Sequence, residues 1–234
     1  MVALARNATM NRPMTATSLP LQRAIEAMSV PGILVGHRLI ADGDDLALLP
    51  EEAAAFAASV IKVRRASGAA RMVARELLAR LGQAPRAIPK STAGMPLWPE
   101  GIVGSLAHDA EVAIAAIASQ REFSSIGVDA EPAEPLASDL LPMIATLKER
   151  ARIQADPIHA GSCHGRLLFS IKEAIYKAVY PLDRTFLDHH DVEVDLSNGT
   201  AGVRNGRVVS FRYCVAPRIV ALAFIPAGPA GHGA

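Results

Sequence analysis

The sequence predicts an α+β protein built as two lobes. Three observations carry that expectation. Helical patterning over residues 50–82 and again over 167–180 is separated by short apolar runs of strand length. The last third is strand-like and turns at Asn205-Gly206, a dipeptide suited to a tight hairpin. The order helix, strands, helix, strands places a seam near residues 119–128, without a close sequence repeat. The resulting division is a disordered N-terminus (1–20), a first lobe (21–122), a second lobe (123–226) and a disordered tail (227–234).

Residues 21–40 hold a short helix and then an apolar strand over 32–39, and Asp42-Gly43-Asp44-Asp45 is a turn. A helix starts near Pro50-Glu51-Glu52, because proline fits a first helical turn and acids favour the positive helix end. It runs to Gly82, with Ser67-Gly68 as the place where it would break. Pro85, Pro89, Pro96 and Pro99 make residues 83–101 a loop. Strands are expected over 102–107 and 111–118 around a turn, and over 126–130. Helical signals are scattered over 136–152. The helix over 167–180 ends at Pro181, and strands follow over 191–196, 202–204, 207–215 and 219–225.

A chain of 234 residues, half of them hydrophobic and a fifth charged, can bury a full core and is not disordered. The apolar run 112–118 is far too short to span a bilayer, and Arg6 and Asn7 interrupt the place where a signal peptide keeps its apolar stretch. A cytoplasmic protein without stable membrane insertion is expected. A net charge of +1 argues against a nucleic-acid partner. Cys163 and Cys214 lack metal-ligand spacing and are expected as free thiols in a reducing compartment.

Chemistry concentrates at four places. Asp129 and Glu131 point to one face of a strand, where two carboxylates repel unless a cation or protons relieve them. They are either ligands for a hard cation such as Mg²⁺ or a solvated strand end before Pro132. Glu173 and Lys177, four apart, share a helical face beside Lys172, as a surface ion pair or as part of an anion and cation site. His108 follows Gly104 and Ser105 at a strand end, where a glycine and a hydroxyl suit a phosphate and where a structural histidine is equally at home. Finally, residues 62–90 hold Lys62, Arg64, Arg65, Arg71, Arg75, Arg80, Arg86 and Lys90 against Glu76 alone. On a helix, Arg64, Arg71 and Arg75 fall within about 40° of one another, with Gly68 on the same face. That face is a solvated stripe or a site for a ligand with several phosphates.

Taken in order, these pieces resemble the two-lobed 4′-phosphopantetheinyl transferases, in the enterobactin-synthetase-type branch that serves siderophore, nonribosomal-peptide and polyketide synthases. The resemblance begins at Arg71-Met72-Val73-Ala74-Arg75 and continues through Pro96-Leu97-Trp98-Pro99-Glu100-Gly101-Ile102-Val103-Gly104-Ser105-Leu106-Ala107-His108. It takes in Ile126-Gly127-Val128-Asp129-Ala130-Glu131 and closes with Leu167-Leu168-Phe169-Ser170-Ile171-Lys172-Glu173-Ala174-Ile175-Tyr176-Lys177-Ala178-Val179-Tyr180-Pro181. It implies two similar α/β lobes related by a pseudo-two-fold, each a small, mainly antiparallel sheet packed with a long helix. Coenzyme A is implied in the cleft between them. Asp129, Glu131 and Glu173 would hold Mg²⁺, and His108 and Ser105 would meet the phosphate region. Arg64 (or its neighbour Arg65), Arg71 and Lys90 would take the 3′-phosphate and diphosphate end, with Lys172 and Lys177 along the phosphates. Ala107, Asp109 and Ile171 depart from the family pattern. Ala107 lacks a hydroxyl, and Asp109 would weaken anion binding if it points inward.

The implied reaction is attack of a serine hydroxyl of an acyl- or peptidyl-carrier protein on coenzyme A, releasing 3′,5′-ADP. Glu173 would be the base, directly or through a water, Lys177 would neutralise the leaving diphosphate, and His108 would assist. A monomer is expected, because both lobes of the site lie in one chain. Two other readings use the same residues: a Mg²⁺-dependent nucleotide pyrophosphohydrolase and a non-catalytic coenzyme A binding module.

Overall fold

The computed structural model describes residues 18–155 and 163–228. Most of the N-terminal and C-terminal stretches expected to be disordered lie outside those residues. Helix α1 (Leu19–Ala27) leads into β1 (Ile33–Leu39), a short α2 (Pro50–Ala53) and the long α3 (Ile61–Arg80). Strands β2 (Ile102–His108), β3 (Val112–Ser119) and β4 (Phe123–Pro132) follow. The second half holds α4 (Leu141–Ile144), α5 (Leu147–Ala155), the long α6 (His164–Asp183) and strands β5 (Val192–Asp195), β6 (Thr200–Val203), β7 (Val208–Cys214) and β8 (Arg218–Pro226). None of the described helices is long and apolar enough to cross a membrane.

The described strands form two antiparallel sheets, ordered β1-β3-β2 and β4-β8-β7-β6-β5. Strand alternation divides each sheet into two apolar faces. On β3, Ala115 and Ile117 pack under Val73 and Leu77 of α3, whereas Ile114 and Ala116 join a core shared with the other sheet. On β8, Ile219, Ala221 and Ala223 pack under α6, whereas Val220 and Leu222 turn into the shared core. Each sheet therefore carries one long helix on its outer face, and the inner faces meet. This is the two-lobed α+β architecture that the sequence predicts.

Three details differ from expectation. The chain breaks between α2 and α3, not at Ser67-Gly68, where α3 is continuous. Gly68 sits where a Cβ would lie 1.9 Å from the Asp44 carbonyl oxygen, a contact that only glycine admits. Gly82, left-handed at φ 72°, closes α3, and the amide of Gln83 reaches back to the Leu78 carbonyl at 3.0 Å. Helix α6 starts before residue 167 and runs through Pro181 to Asp183, because a proline in the last turn forfeits only one backbone bond. Strand β4 is about twice the predicted length and holds its edge by pairing with β8 over its whole run. Residues 136–155 resolve into two short helices, while the rest of that stretch up to 162 lies outside the described residues. Both cysteines are free thiols, as expected.

Candidate active site

Gly127 sets the position of α6 on β4. A Cβ on Gly127 would lie 1.9 Å from the Ala174 carbonyl oxygen and 2.7 Å from the Ala178 amide, so helix and strand meet backbone to backbone. Two residues on, the β4 side chain on that face is Asp129. Lys177, one turn along α6 from Glu173, reaches it directly: Nζ donates to Asp129 Oδ1 at 2.7 Å and to the Val128 carbonyl at 3.2 Å. The other Asp129 oxygen, Oδ2, is buried and has no hydrogen-bond partner. A carboxylate oxygen left this way is costly unless something comes to meet it.

The other two acids each hold a separate base. Glu131 Oε2 accepts from Arg166 Nη1 at 2.8 Å, and Arg166 also donates to the Glu134 and Pro135 carbonyls. Burial raises the Glu131 carboxyl above the usual glutamate range; the Arg166 hydrogen bond opposes this and the Asp129 charge adds to it. Glu173 Oε1 lies 3.2 Å from His189 Nε2. That hydrogen bond, with Lys177 nearby, lowers the Glu173 carboxyl against the opposing effect of burial. Among the described residues, no group of three His, Cys, Asp or Glu side chains is gathered as a metal cage. Asp129, Glu131 and Glu173 each face a different basic side chain: Lys177, Arg166 and His189.

Glu173 lines a hollow with His189, whereas Lys177 lines a separate cavity of about 310 Å³ between the lobes. Its lining comes from both of them: Met95, Trp98, Gly104 and Ser105 on one side, Ser125, Tyr176, Lys177 and Tyr180 on the other. Trp98 lies against Gly104, where a Cβ would come within 2.5 Å of the indole. Gly104 is therefore kept small by tryptophan packing within β2, and not by a phosphate turn. Ser105 is buried in that strand and lines the cavity. His108 ends β2 with an exposed edge. Crowding by surrounding protein, then the Lys177 charge, lowers its pKa and favours neutral imidazole.

The turn after His108 is locked. Asp109 Oδ1 accepts the amides of Glu111 and Val112 at 2.7 and 2.8 Å, and its other oxygen pairs with Arg218 of β8, which also holds Glu111. Asp109 therefore ties the two lobes together and is not an inward-facing repulsive charge. Ala107 is buried in the core shared by the sheets and Ile171 in the core under α6, so both departures from the family pattern are packing positions.

Two expected phosphate ligands sit elsewhere. Lys172 is buried, and its Nζ donates to Glu149 Oε2 at 2.7 Å, to the Ile144 carbonyl at 2.9 Å and to the His189 carbonyl at 2.8 Å. All three ammonium protons are used, so Lys172 does not lie along a ligand's phosphates. Arg71 is also buried: Nε donates to the Ile88 carbonyl at 2.9 Å and Nη1 to the Ser67 carbonyl at 3.2 Å, with its guanidinium over the Phe56 ring at 4.8 Å. Arg75 pairs with Glu52 at 2.8 Å and donates to the Ala47 carbonyl at 2.7 Å. The arginine face of α3 is covered by residues 44–56, and the close approach at Gly68 is made by the chain itself. Arg64 stays half-buried on α3, and Lys90 is exposed, with its ammonium 5.6 Å from the Phe56 ring centre.

Arg166, His189, Tyr176, Ser125 and Arg218 were not singled out by sequence reasoning. Arg166 had a signal: seven residues before Glu173, it falls on the same helical face. A helix begun at 167 leaves it out. His189 and Arg218 lie in separate segments and carry no such spacing.

Residues 51–118 match the model of the 4′-phosphopantetheinyl transferase N-terminal domain, and residues 125–222 match that of the 4′-phosphopantetheinyl transferase superfamily. The chain is 37% identical over 181 residues to the 4′-phosphopantetheinyl transferase Npt of Nocardia iowensis, covering 76% of this chain and 80% of that protein. It is 38% identical over 172 residues to the 4′-phosphopantetheinyl transferase PptT of Mycobacterium tuberculosis, covering 74% and 75%. A shorter stretch of 85 residues is 40% identical to enterobactin synthase component D of Salmonella typhi, covering 36% and 34%.

Proposed function

The chain belongs to the 4′-phosphopantetheinyl transferase superfamily, and on that footing we propose that it transfers 4′-phosphopantetheine from coenzyme A to a serine of an apo acyl- or peptidyl-carrier protein, with Mg²⁺ and release of 3′,5′-ADP. The observation that carries this reading is the placement of Lys177. It lines the inter-lobe cavity and grips Asp129, so a diphosphate entering that cavity meets the ammonium beside the Asp129 carboxylate.

The carboxylates suit a hard divalent ion. Asp129 offers a buried, unpartnered oxygen, Glu131 lies two residues along β4, and Glu173 lies one turn from Lys177 on α6. Asp129 and Glu131 would hold the ion directly, with Glu131 released from Arg166 to the extent it is drawn in, and Glu173 would reach it through a water while keeping its hydrogen bond to His189. Bound there, Mg²⁺ supplies charge neutralisation on the diphosphate.

The residues of the chain account for the rest. The serine oxygen forms a new bond to the β-phosphorus of coenzyme A, and the bond from that phosphorus to the oxygen bridging to 3′,5′-ADP breaks. Glu173, kept ionised by its neighbours, takes the serine proton, directly or through one water. Lys177 stabilises charge building on the departing 5′-phosphate of 3′,5′-ADP, and neutral His108 offers a hydrogen bond at the same end. Lys90 and Arg64 remain the cations of the first lobe available to the 3′-phosphate. The lobes come from one chain, which favours a monomer as the working unit.

The test is mass spectrometry of apo carrier proteins incubated with this protein, coenzyme A and Mg²⁺. Covalent attachment adds about 340 Da to the acceptor. Hydrolysis of coenzyme A without any acceptor gain would instead favour a pyrophosphohydrolase. Coenzyme A binding with neither product would favour a binding module.

A further inference from the structure

The side chain on Glu173 is a histidine that no motif contains. His189 sits in a short turn between α6 and β5, sixteen residues past Glu173. Its placement is fixed three ways. Nε2 lies 3.2 Å from Glu173 Oε1, the ring packs on Phe169 at 5.5 Å between centroids, and the backbone carbonyl takes a hydrogen bond from Lys172 Nζ at 2.8 Å. The turn itself is braced at both ends: Asp188 Oδ1 accepts the His190 amide at 3.0 Å, and the Asp188 amide donates to Asp191 Oδ2 at 3.0 Å.

This bracing is more than a surface ion pair needs. Exposed pairs of long side chains are usually loose, and their partners are seldom held by backbone contacts. Here the buried Lys172 grips the histidine backbone while the neighbouring residue, Glu173, takes the histidine ring. Lys172 and Glu173 are adjacent on α6, so one helix turn fixes both ends of His189. The pair is also not sealed in the core. Glu173 and His189 line a hollow of about 410 Å³ together with Tyr176 and Phe186. A contact that faces open space contributes little to packing, which leaves orientation as its use.

We infer that His189 is a positioning residue for Glu173, aiming one carboxylate oxygen and leaving the other for the acceptor hydroxyl. Nε2 carries the proton and donates it to Oε1, which restricts the carboxylate to one rotamer. Lys172 acts from behind by setting where the histidine stands. The inference rests on Glu173 as the base, and it concerns turnover, not coenzyme A binding.

The experiment compares His189→Ala, His189→Gln and Glu173→Gln for transfer from coenzyme A to an apo carrier protein, with kcat and KM for each substrate and a melting temperature for each variant. H189A is expected to lower kcat about tenfold, the usual cost of removing a residue that orients an active-site group, with both KM values unchanged. H189Q, which keeps an N–H donor, is expected to regain most of that loss. A KM increase without a kcat change, or equal rates in H189A and the parent, would overturn the assignment. So would H189Q remaining as slow as H189A. If E173Q itself turns over normally, the reading of Glu173 as the base fails; if E173Q is slow and H189A is not, only the role of His189 fails.

Discussion

Lys172 Nζ lies 2.7 Å from Glu149 Oε2, and the two side chains are 1% and 3% exposed. The neighbouring residue on the same helix, Glu173, faces a hollow that it lines with His189. One dipeptide thus splits between the core and the chemistry. Glu149 completes the buried set by accepting the Thr146 and Val194 amides at 2.8 Å each, so this ion pair pins α5, α6 and β5 together.

Lys172→Met is expected to destabilise the protein by about 3–5 kcal/mol, because it leaves the Glu149 carboxylate buried without its cation. Coenzyme A affinity of the folded variant should match the parent. Urea unfolding and a coenzyme A titration check both. Weaker binding at unchanged stability would return Lys172 to the phosphates.

Arg71 and Lys90 should separate in the same way. Arg71→Ala removes a buried guanidinium that donates to two carbonyls and is expected to lower stability, with coenzyme A and dephospho-coenzyme A affected alike. Lys90→Ala, at an exposed position, should weaken coenzyme A more than the dephospho form. Calorimetric titration of both ligands reads this directly; a selective loss in R71A would contradict the buried placement.

Arg218 is the tie between lobes, through Asp109 and Glu111 beside His108. Arg218→Ala should cost about 1.5–3 kcal/mol, the range for hydrogen bonds to charged groups, and raise KM for coenzyme A because the His108 turn is no longer held. Arg218→Lys should recover only part, since a single ammonium cannot reproduce the two-pronged contact. Unchanged stability and KM in R218A would remove the tie from both roles.

Glu131 and Glu173 should respond to acid in opposite order. Burial raises the Glu131 carboxyl, so it takes up a proton first as pH falls. The His189 hydrogen bond and then the Lys177 charge depress that of Glu173, so its contribution to stability is present above the pKa of the unfolded chain and is lost only as pH falls through the lower folded value. On acidification from neutrality, the Mg²⁺ concentration for half-maximal activity should rise before kcat at saturating Mg²⁺ declines. Steady-state rates across a pH series at several Mg²⁺ concentrations test this; a kcat that falls first would reverse the two assignments.

Local pattern determined much of this protein. Asn205-Gly206 forms the turn between β6 and β7, with the Gly206 amide on the Val203 carbonyl at 2.8 Å. The strand period puts Asp129 and Glu131 on one face, and the helical period puts Glu173 beside Lys177. These features depend on neighbours within a few residues, which the sequence displays. The two-lobed arrangement followed from the order of those elements. What the tertiary structure decided is where each charge is spent. Arg71 and Lys172 have the same residue types and spacing as ligand-binding cations, but Phe56, Ile88 and Glu149 come from distant segments and enclose them. Gly68, where the sequence suggests a break, and Gly127 are two places where long helices meet the backbone of other segments at distances no side chain permits. His189 and Arg218 reach the site only because folding brings remote turns to α6 and to the His108 turn. Burial and pairing are set by contacts far apart in the chain, so a one-dimensional pattern shows which groups can do the chemistry, and packing selects which of them are free to do it.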